Sequence, residues 1–546
     1  MLRKHQYEFS QAIDRIIFGE PIRNIYCHVT PGGGKSLVPV MAGRLITVGL
    51  ADRLMWIAPR LSLTDQAERE FLNPRFRNLL NHRLTIRQST NEPNPCRSQD
   101  GFSTTYNAVG MDEGYLLEQF RHYRYILIMD EFHHVQEDSL WHNKIAPLYA
   151  MAAYRILMTG TLERGDNSRI AFVPYRGTGK IATPFLQSDP RSVVIRYTRT
   201  DALAEKAIIP LAFHLSDGHA EWEDRSGRKV RVSSIDKMAE EDANKALYTV
   251  LKTEYADDLL SHGINHWQEH RRHFPNPKCL VVTSNINEAK RHIATLRERN
   301  FSADIATSDD SESALKAIKR MKAGKLDILV TVAMAYEGLD IPSVSHIICL
   351  TRIRSVPWIE QMTARANRID PSAGPYEAQI GHIFAPADPL FKQVMDKIEK
   401  EQAPIVNISS RSWSRGETAE DGGGFRLEPS PGGITPLSSA MTGKRQMMLG
   451  AKEEPIKTVS EREDELLESI NSHIRTYAFN NRYNPKKLNI EIFNYFGKPR
   501  QQMTVKELED CYNHVKSVYP LSRIRGTGHK RVPTKATLFN LAGRIK

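Results

Sequence analysis

No apolar run in this chain approaches the ~18 residues that a bilayer demands. Its first residues, Met1-Leu2-Arg3-Lys4-His5-Gln6, carry no apolar export core, so neither secretion nor membrane insertion is expected. Cysteine is scarce: five in 546 residues (Cys27, Cys96, Cys279, Cys349, Cys511), dispersed and without a CxxC pair. An odd, unpatterned set fits buried free thiols in a reducing compartment rather than a disulfide frame or zinc site. Short internal repeats are missing. Acidic residues are missing after Asp510, where Lys516, Arg523, Arg525, Lys530, Arg531, Lys535, Arg544 and Lys546 follow. What is present is ordinary for a folded protein: 40% hydrophobic and 25% charged residues, enough for sizeable cores and against wholesale disorder. The length suggests about three or four domains. A formal charge of +11 favours a polyanionic partner, because basic surface attracts phosphate at long range.

Residues 1–197 alternate short apolar runs with helical stretches, the pattern of a parallel sheet wrapped by helices. Strands are predicted at Asn24–Val29, Leu54–Ala58, Tyr125–Met129, Tyr154–Met158 and Val193–Tyr197. A second α/β series, 198–403, has strands at Lys278–Val282, Ile328–Thr331 and His346–Leu350. Within it, 213–234 reads as a hairpin around Asp224-Arg225-Ser226-Gly227-Arg228-Lys229. With Trp222, it is either a wedge for splitting strands or an excursion packed on its own domain. Ser, Gly, Pro and Glu dominate 404–459, which reads as a flexible linker. A helical, basic domain is expected over 460–546, opening on the capping-box pair Ser460 and Glu463. Its aromatics Tyr477, Phe479, Tyr483, Phe493, Tyr495 and Phe496 read as core, and the acid-free tail as an arm for a phosphate backbone.

Thr30-Pro31-Gly32-Gly33-Gly34-Lys35-Ser36 follows an apolar strand and precedes a helical run. Binding a triphosphate requires backbone N–H groups to converge on oxygens, and glycines keep side chains out of the way. Thr30, Gly32, Gly33 and Gly34 would form the cradle. Lys35 would reach the β- and γ-phosphates and the Ser36 hydroxyl would ligate Mg²⁺. Val29, at the foot of this loop, is bulkier than the residue usual there. The apolar strand Tyr125-Ile126-Leu127-Ile128-Met129 ends in Asp130-Glu131-Phe132-His133. Acids at the carboxyl edge of a parallel sheet stand where such folds bind ligands. Asp130 would hold Mg²⁺ and Glu131 would orient and deprotonate the attacking water.

Together these motifs resemble the superfamily 2 helicases of the DExH type, over about residues 1–400 and in family order. The resemblance implies two tandem RecA-like parallel-sheet α/β domains, joined here to the small, mainly helical C-terminal domain. It makes Gln6 the adenine reader. It identifies Pro59-Arg60, Thr104-Thr105-Tyr106, Thr159-Gly160-Thr161 and Thr283-Ser284 as motifs Ia, Ib, III and IV. The segment from Thr331 to Asp340 is similar to motif V, with Glu337, Gly338 and Asp340 near the ribose and the domain interface. Gln361-Met362-Thr363-Ala364-Arg365-Ala366-Asn367-Arg368 is similar to motif VI, with Ala364 in place of glycine. Arg365 and Arg368 then become arginine fingers that stabilise charge on the transferring phosphoryl group. His133 and Gln361 become links between the ATP site and motifs III and VI. Arg60, Thr105, Thr283 and Thr331 become candidates for gripping a strand by its phosphates, while each threonine could equally cap a helix.

The upstream Leu-Arg…Gln signature and Tyr336-Glu337-Gly338-Leu339-Asp340-Ile341-Pro342 look most like the type III restriction-subunit branch. The expectation is an ATP- and Mg²⁺-dependent DNA helicase or translocase in the cytoplasm at the nucleoid. A nuclease or a replication or repair protein is its expected partner. An RNA helicase and a non-unwinding, ATP-gated clamp are the alternatives.

Overall fold

β-Branched and apolar runs bounded by turn residues form the strands here, as their packing on a pleated surface favours. A computed structural model describes residues 2–162, 168–177, 183–307, 309–332, 341–406, 408–409, 434–446, 448–449 and 459–521. The first sheet is made of β1 (Asn24–Val29), β2 (Arg53–Ala58), β3 (Ile86–Gln88), β4 (Gly101–Thr105), β5 (Tyr125–Asp130), β6 (Tyr154–Thr159) and β7 (Ser192–Tyr197). Their order is β3-β4-β2-β5-β6-β1-β7, with every pairing parallel. Helices cover both faces, so β5 is a continuous apolar run: Tyr125 to Met129 are each 1% exposed or less. Parallel order also puts all carboxyl ends along one edge. The ends of β1, β2, β4, β5 and β6 therefore bring Thr30, Arg60, Thr105, Asp130 and Thr159 to one side of the sheet.

The second sheet comprises β8 (Leu211–Glu223), β9 (Lys229–Val232), β10 (Lys278–Thr283), β11 (Ala303–Ala306), β12 (Ile328–Val332), β13 (Val344–Leu350) and β14 (Gly381–Pro386). The order is β9-β8-β14-β13-β10-β12-β11, parallel from β8 through β11. The hairpin is β8 with β9, paired antiparallel from Ala220↔Val232 to Glu223↔Lys229. Its Trp222 is fully buried in a cluster with Leu247, Val250 and Tyr255. Trp222 therefore anchors the hairpin to its own domain and is not presented as a wedge; Arg225, Arg228 and Lys229 are exposed at the turn.

The linker expectation over 404–459 is corrected in part. Thr435–Gln446 forms an eighth strand, β15, antiparallel to β8 from His214↔Gln446 to Glu223↔Thr435. Its small residues misled the composition argument, because they let the strand lie close over a helix. Ser439 is 4% exposed and its hydroxyl accepts from the Tyr255 amide at 3.3 Å. A long β8 with an open edge needs such a partner. Residues 410–433 and 450–458 of that segment lie outside the described residues, as do Glu337, Gly338, Asp340 and the basic tail beyond 521.

Residues 1–451 and 452–546 are separate compact units. In the second, helices Val459–Asn481, Pro485–Phe496 and Val505–Val518 close on Ile470, Ile474, Leu488, Leu508 and Val515. Tyr483 and Tyr519 each donate to one oxygen of Glu491 at 2.9 Å. Phe479 and Phe493, expected in the core, are 85% and 47% exposed. All five cysteines are buried and free. No described helix is long and apolar enough to cross a membrane.

Candidate active site

The phosphate loop leaves β1 and enters a short helix, Leu37–Ala42. Gly32 and Gly34 have φ of +83° and +90°, a region that side chains disfavour. Gly33 is required for space instead: a Cβ there would stand 2.8 Å from both the Thr30 oxygen and Val29 Cγ1. The unusual Val29 thus fills the volume that Gly33 leaves empty. Two N-terminal side chains brace the loop. Arg3 donates to the Gly33 carbonyl at 2.6 Å, and Gln6 donates to that of Gly34 at 3.2 Å. The Gln6 oxygen accepts from the Arg3 amide at 3.0 Å, so both ends of this amide are engaged with the chain.

Opposite the loop stands Glu131, in left-handed backbone (φ +48°), a conformation that costs a non-glycine residue about 1 kcal/mol or more. Its carboxylate holds the conformation through several contacts. Oε1 pairs with the Lys35 ammonium, and Oε2 accepts from the Gly160 amide at 3.2 Å and lies 3.3 Å from His133 Nδ1. Burial alone would raise the Glu131 pKa, but Lys35 and His133 hold it well below the usual carboxylate range. Asp130 goes the other way. Burial, with Glu131 beside it, pushes it up despite Lys35.

The hydroxyl of Thr159 accepts from the Thr161 amide at 3.1 Å and donates to the Thr161 carbonyl at 2.6 Å. His133 Nδ1 lies 2.8 Å from that same oxygen. With the hydroxyl proton engaged, Nδ1 is the donor, so the ring carries a proton there. The other face of the ring meets the second domain: Gln361 Nε2 lies 3.5 Å from His133 Nε2. Six residues on, Asn367 is fully buried and donates to the Pro31 carbonyl at 3.3 Å. A Cβ on Gly32 would come within 2.8 Å of its oxygen. Motif VI therefore touches both His133, beside the acid pair, and the phosphate loop. Ala364 is no obstacle, since its backbone is right-handed (φ −65°, ψ −7°).

Arg365 and Arg368 are half-buried, and burial pushes Arg368 down to about 10. Lys322 is lowered by burial, then by Arg368 and by Arg69 of the first domain, which puts Arg368 at the cleft. Ser36 and Arg60 open the helices Leu37–Ala42 and Leu61–Leu72. Thr105 caps Tyr106–Gly110, accepting from Ala108 at 3.1 Å. Thr283 is fully buried and donates to the Thr331 carbonyl at 3.1 Å, and Thr331 donates to Val332 at 3.2 Å. All three hydroxyls are thus engaged by the chain's own backbone. Three further residues have no role legible in the sequence: Arg3, Asn367 and Tyr106, whose hydroxyl donates to the Asp130 carbonyl at 2.9 Å. Their contacts form only in three dimensions, although Tyr106 lies within the motif Ib segment and Asn367 within motif VI.

Residues 1–164 match the family described as type III restriction enzyme, res subunit. Residues 252–370 match the helicase conserved C-terminal domain. An uncharacterised protein of Mycobacterium tuberculosis (strain H37Rv) is 23% identical over 72% of this chain and 63% of its own length. The chain thus spans less than two thirds of that relative. A protein of Sulfolobus islandicus filamentous virus, named as a helicase, is 30% identical over 24% of each chain. Among solved structures, the ATP-dependent type ISP restriction-modification enzyme LlaBIII bound to DNA is similar at 15% identity and a TM-score of 0.45. That match covers 70% of this chain and 27% of that one. With its ATP-binding half of the res-subunit kind and its second half of the helicase C-terminal kind, the chain belongs to the superfamily 2 helicases, in the type III restriction-subunit-like branch.

Proposed function

We propose that the protein hydrolyses ATP under stimulation by DNA and uses the hydrolysis to move along or remodel DNA strands. One observation carries this reading: contacts run unbroken from Lys35 through Glu131 and His133 to Gln361, from the phosphate loop to the second domain. Lys35 holds the carboxylate that would otherwise serve as base. A triphosphate in the loop offers Lys35 a more highly charged partner and releases Glu131 to accept a proton from the attacking water. His133 senses that release through Oε2 and passes it to Gln361 and the arginines beside it. Hydrolysis then depends on the two domains being closed, and loss of the γ-phosphate relaxes them.

Mg²⁺ fits the acid pair: Asp130 Oδ1 is buried without a hydrogen-bond partner among the described residues, and a cation would satisfy it. Asp130 and the Ser36 hydroxyl would hold the ion, which supplies charge neutralisation on the phosphates. Arg365 and Arg368 act as fingers, and Arg60 with the basic tail as backbone contacts. Gly338 and Asp340 complete the nucleotide site. The res-subunit likeness of residues 1–164 favours DNA over RNA, as well as a nuclease or a replication or repair protein as partner at the nucleoid.

The test is steady-state ATPase of the full chain with single-stranded DNA, duplex DNA and RNA, beside Lys35→Ala. DNA stimulation of tenfold or more, lost in the variant, is expected. Stimulation by RNA alone would overturn the substrate, and hydrolysis indifferent to any polymer would overturn the motor.

A further inference from the structure

Five of the chain's 19 histidines meet inside the second domain, three of them toward the amino ends of β8, β13 and β14. His214, His346 and His382 come from the adjacent strands β8, β13 and β14, with His346 directly opposite His382 in register. His266 and His270 come from the helix Glu254–His273 that packs on those strands. Their i, i+4 spacing puts both on one face of the helix. Ring centroids of His266 lie 4.7 Å from His214, 4.6 Å from His382 and 5.1 Å from His346.

An apolar core gains nothing from such a layer, because every imidazole brings two polar nitrogens that must be satisfied. Two close contacts account for part of them: His214 Nε2 to His382 Nδ1 at 3.1 Å, and His266 Nδ1 to His346 Nε2 at 2.8 Å. His214, His266 and His382 each turn a nitrogen into one space, these atoms lying within 4.8 Å of one another.

We propose that His214, His266 and His382 bind one divalent transition-metal ion of the Zn²⁺ class. Three imidazoles suit such an ion by ligand softness. Zn–N bonds of about 2.0–2.1 Å in a tetrahedral site set neighbouring nitrogens ~3.3 Å apart, close to the His214–His382 separation. His346 stands behind His266 and is itself 2.9 Å from the Ser345 hydroxyl, the kind of outer partner that fixes a ligating ring. His266 and His382 are only partly buried, so an ion has a way in. A second trio, His270, His346 and His382, shares one ligand with the first, and a single His382 serves one ion at a time. Bound there, the ion ties two strands of the sheet to its covering helix without touching the ATP site.

The experiment is a titration of the tag-free, chelator-treated full chain with Zn²⁺ by calorimetry, and with Co²⁺ by visible absorption. One equivalent should bind with a tetrahedral cobalt band, and the thermal midpoint should rise with Zn²⁺. His214→Gln and His266→Gln should each weaken binding by a hundredfold or more, while His270→Gln binds as wild type. Circular dichroism of each variant confirms its fold; His266 lies on the half-exposed helix face, so that variant keeps the test open should His214→Gln not fold. Failure of the wild type to bind stoichiometrically, or wild-type binding by His266→Gln, would overturn the proposal.

Discussion

At the scale of single residues, the phosphate loop shows two different reasons for glycine. Gly32 and Gly34 answer to backbone dihedrals, Gly33 to the space held by Val29 and the Thr30 carbonyl. Gly33→Ala should therefore strain the loop by about 1–3 kcal/mol through overpacking, and fluorescent-nucleotide binding should fall at least tenfold. Wild-type affinity would show that the loop has room to spare. Lys35, Asp130 and Glu131 were legible in the sequence because the motif and the strand before it fix their surroundings. The role of Gln6 was not. The sequence places it near a nucleotide, whereas its contacts with Arg3 and Gly34 depend on how helix Lys4–Ile17 lies against the loop.

At the scale of elements, the apolar strands were legible to within two residues where both faces are buried, as in β1, β5 and β6. β15 was not, because Ser, Thr and Gly satisfy a close helix contact that no periodicity records. A second hidden feature joins β13 to the helix Pro389–Gln402. Arg354 Nε donates to both oxygens of Asp388 at 3.0 and 2.9 Å, and both side chains are buried. Asp388 also caps that helix, accepting from Phe391 at 3.1 Å. Asp388→Ala should destabilise the fold by about 3–5 kcal/mol, because it leaves a buried guanidinium uncompensated. A shift of under about 1 kcal/mol in urea unfolding would show that Arg354 finds water or another acceptor.

At the scale of the whole molecule, the ATP site is assembled from both domains of the first unit. Gln361 reaches His133 and Asn367 reaches Pro31 across some 230 and 336 residues of sequence. Motif order in the sequence anticipated that motif VI belongs to this site. It could not show that Asn367, between the two arginines, makes the contact to the loop. In the proposed motor, movement is driven by the hydrolytic step for which Glu131 is the proposed base. The most direct measurement is strand separation of a fluorescently labelled forked DNA with ATP and Mg²⁺, comparing wild type with Glu131→Gln. Wild type should separate the strands, and the variant should bind ATP and DNA while its rate falls by about 10²–10⁴. Equal output from both proteins would contradict the account and leave an ATP-gated clamp in its place.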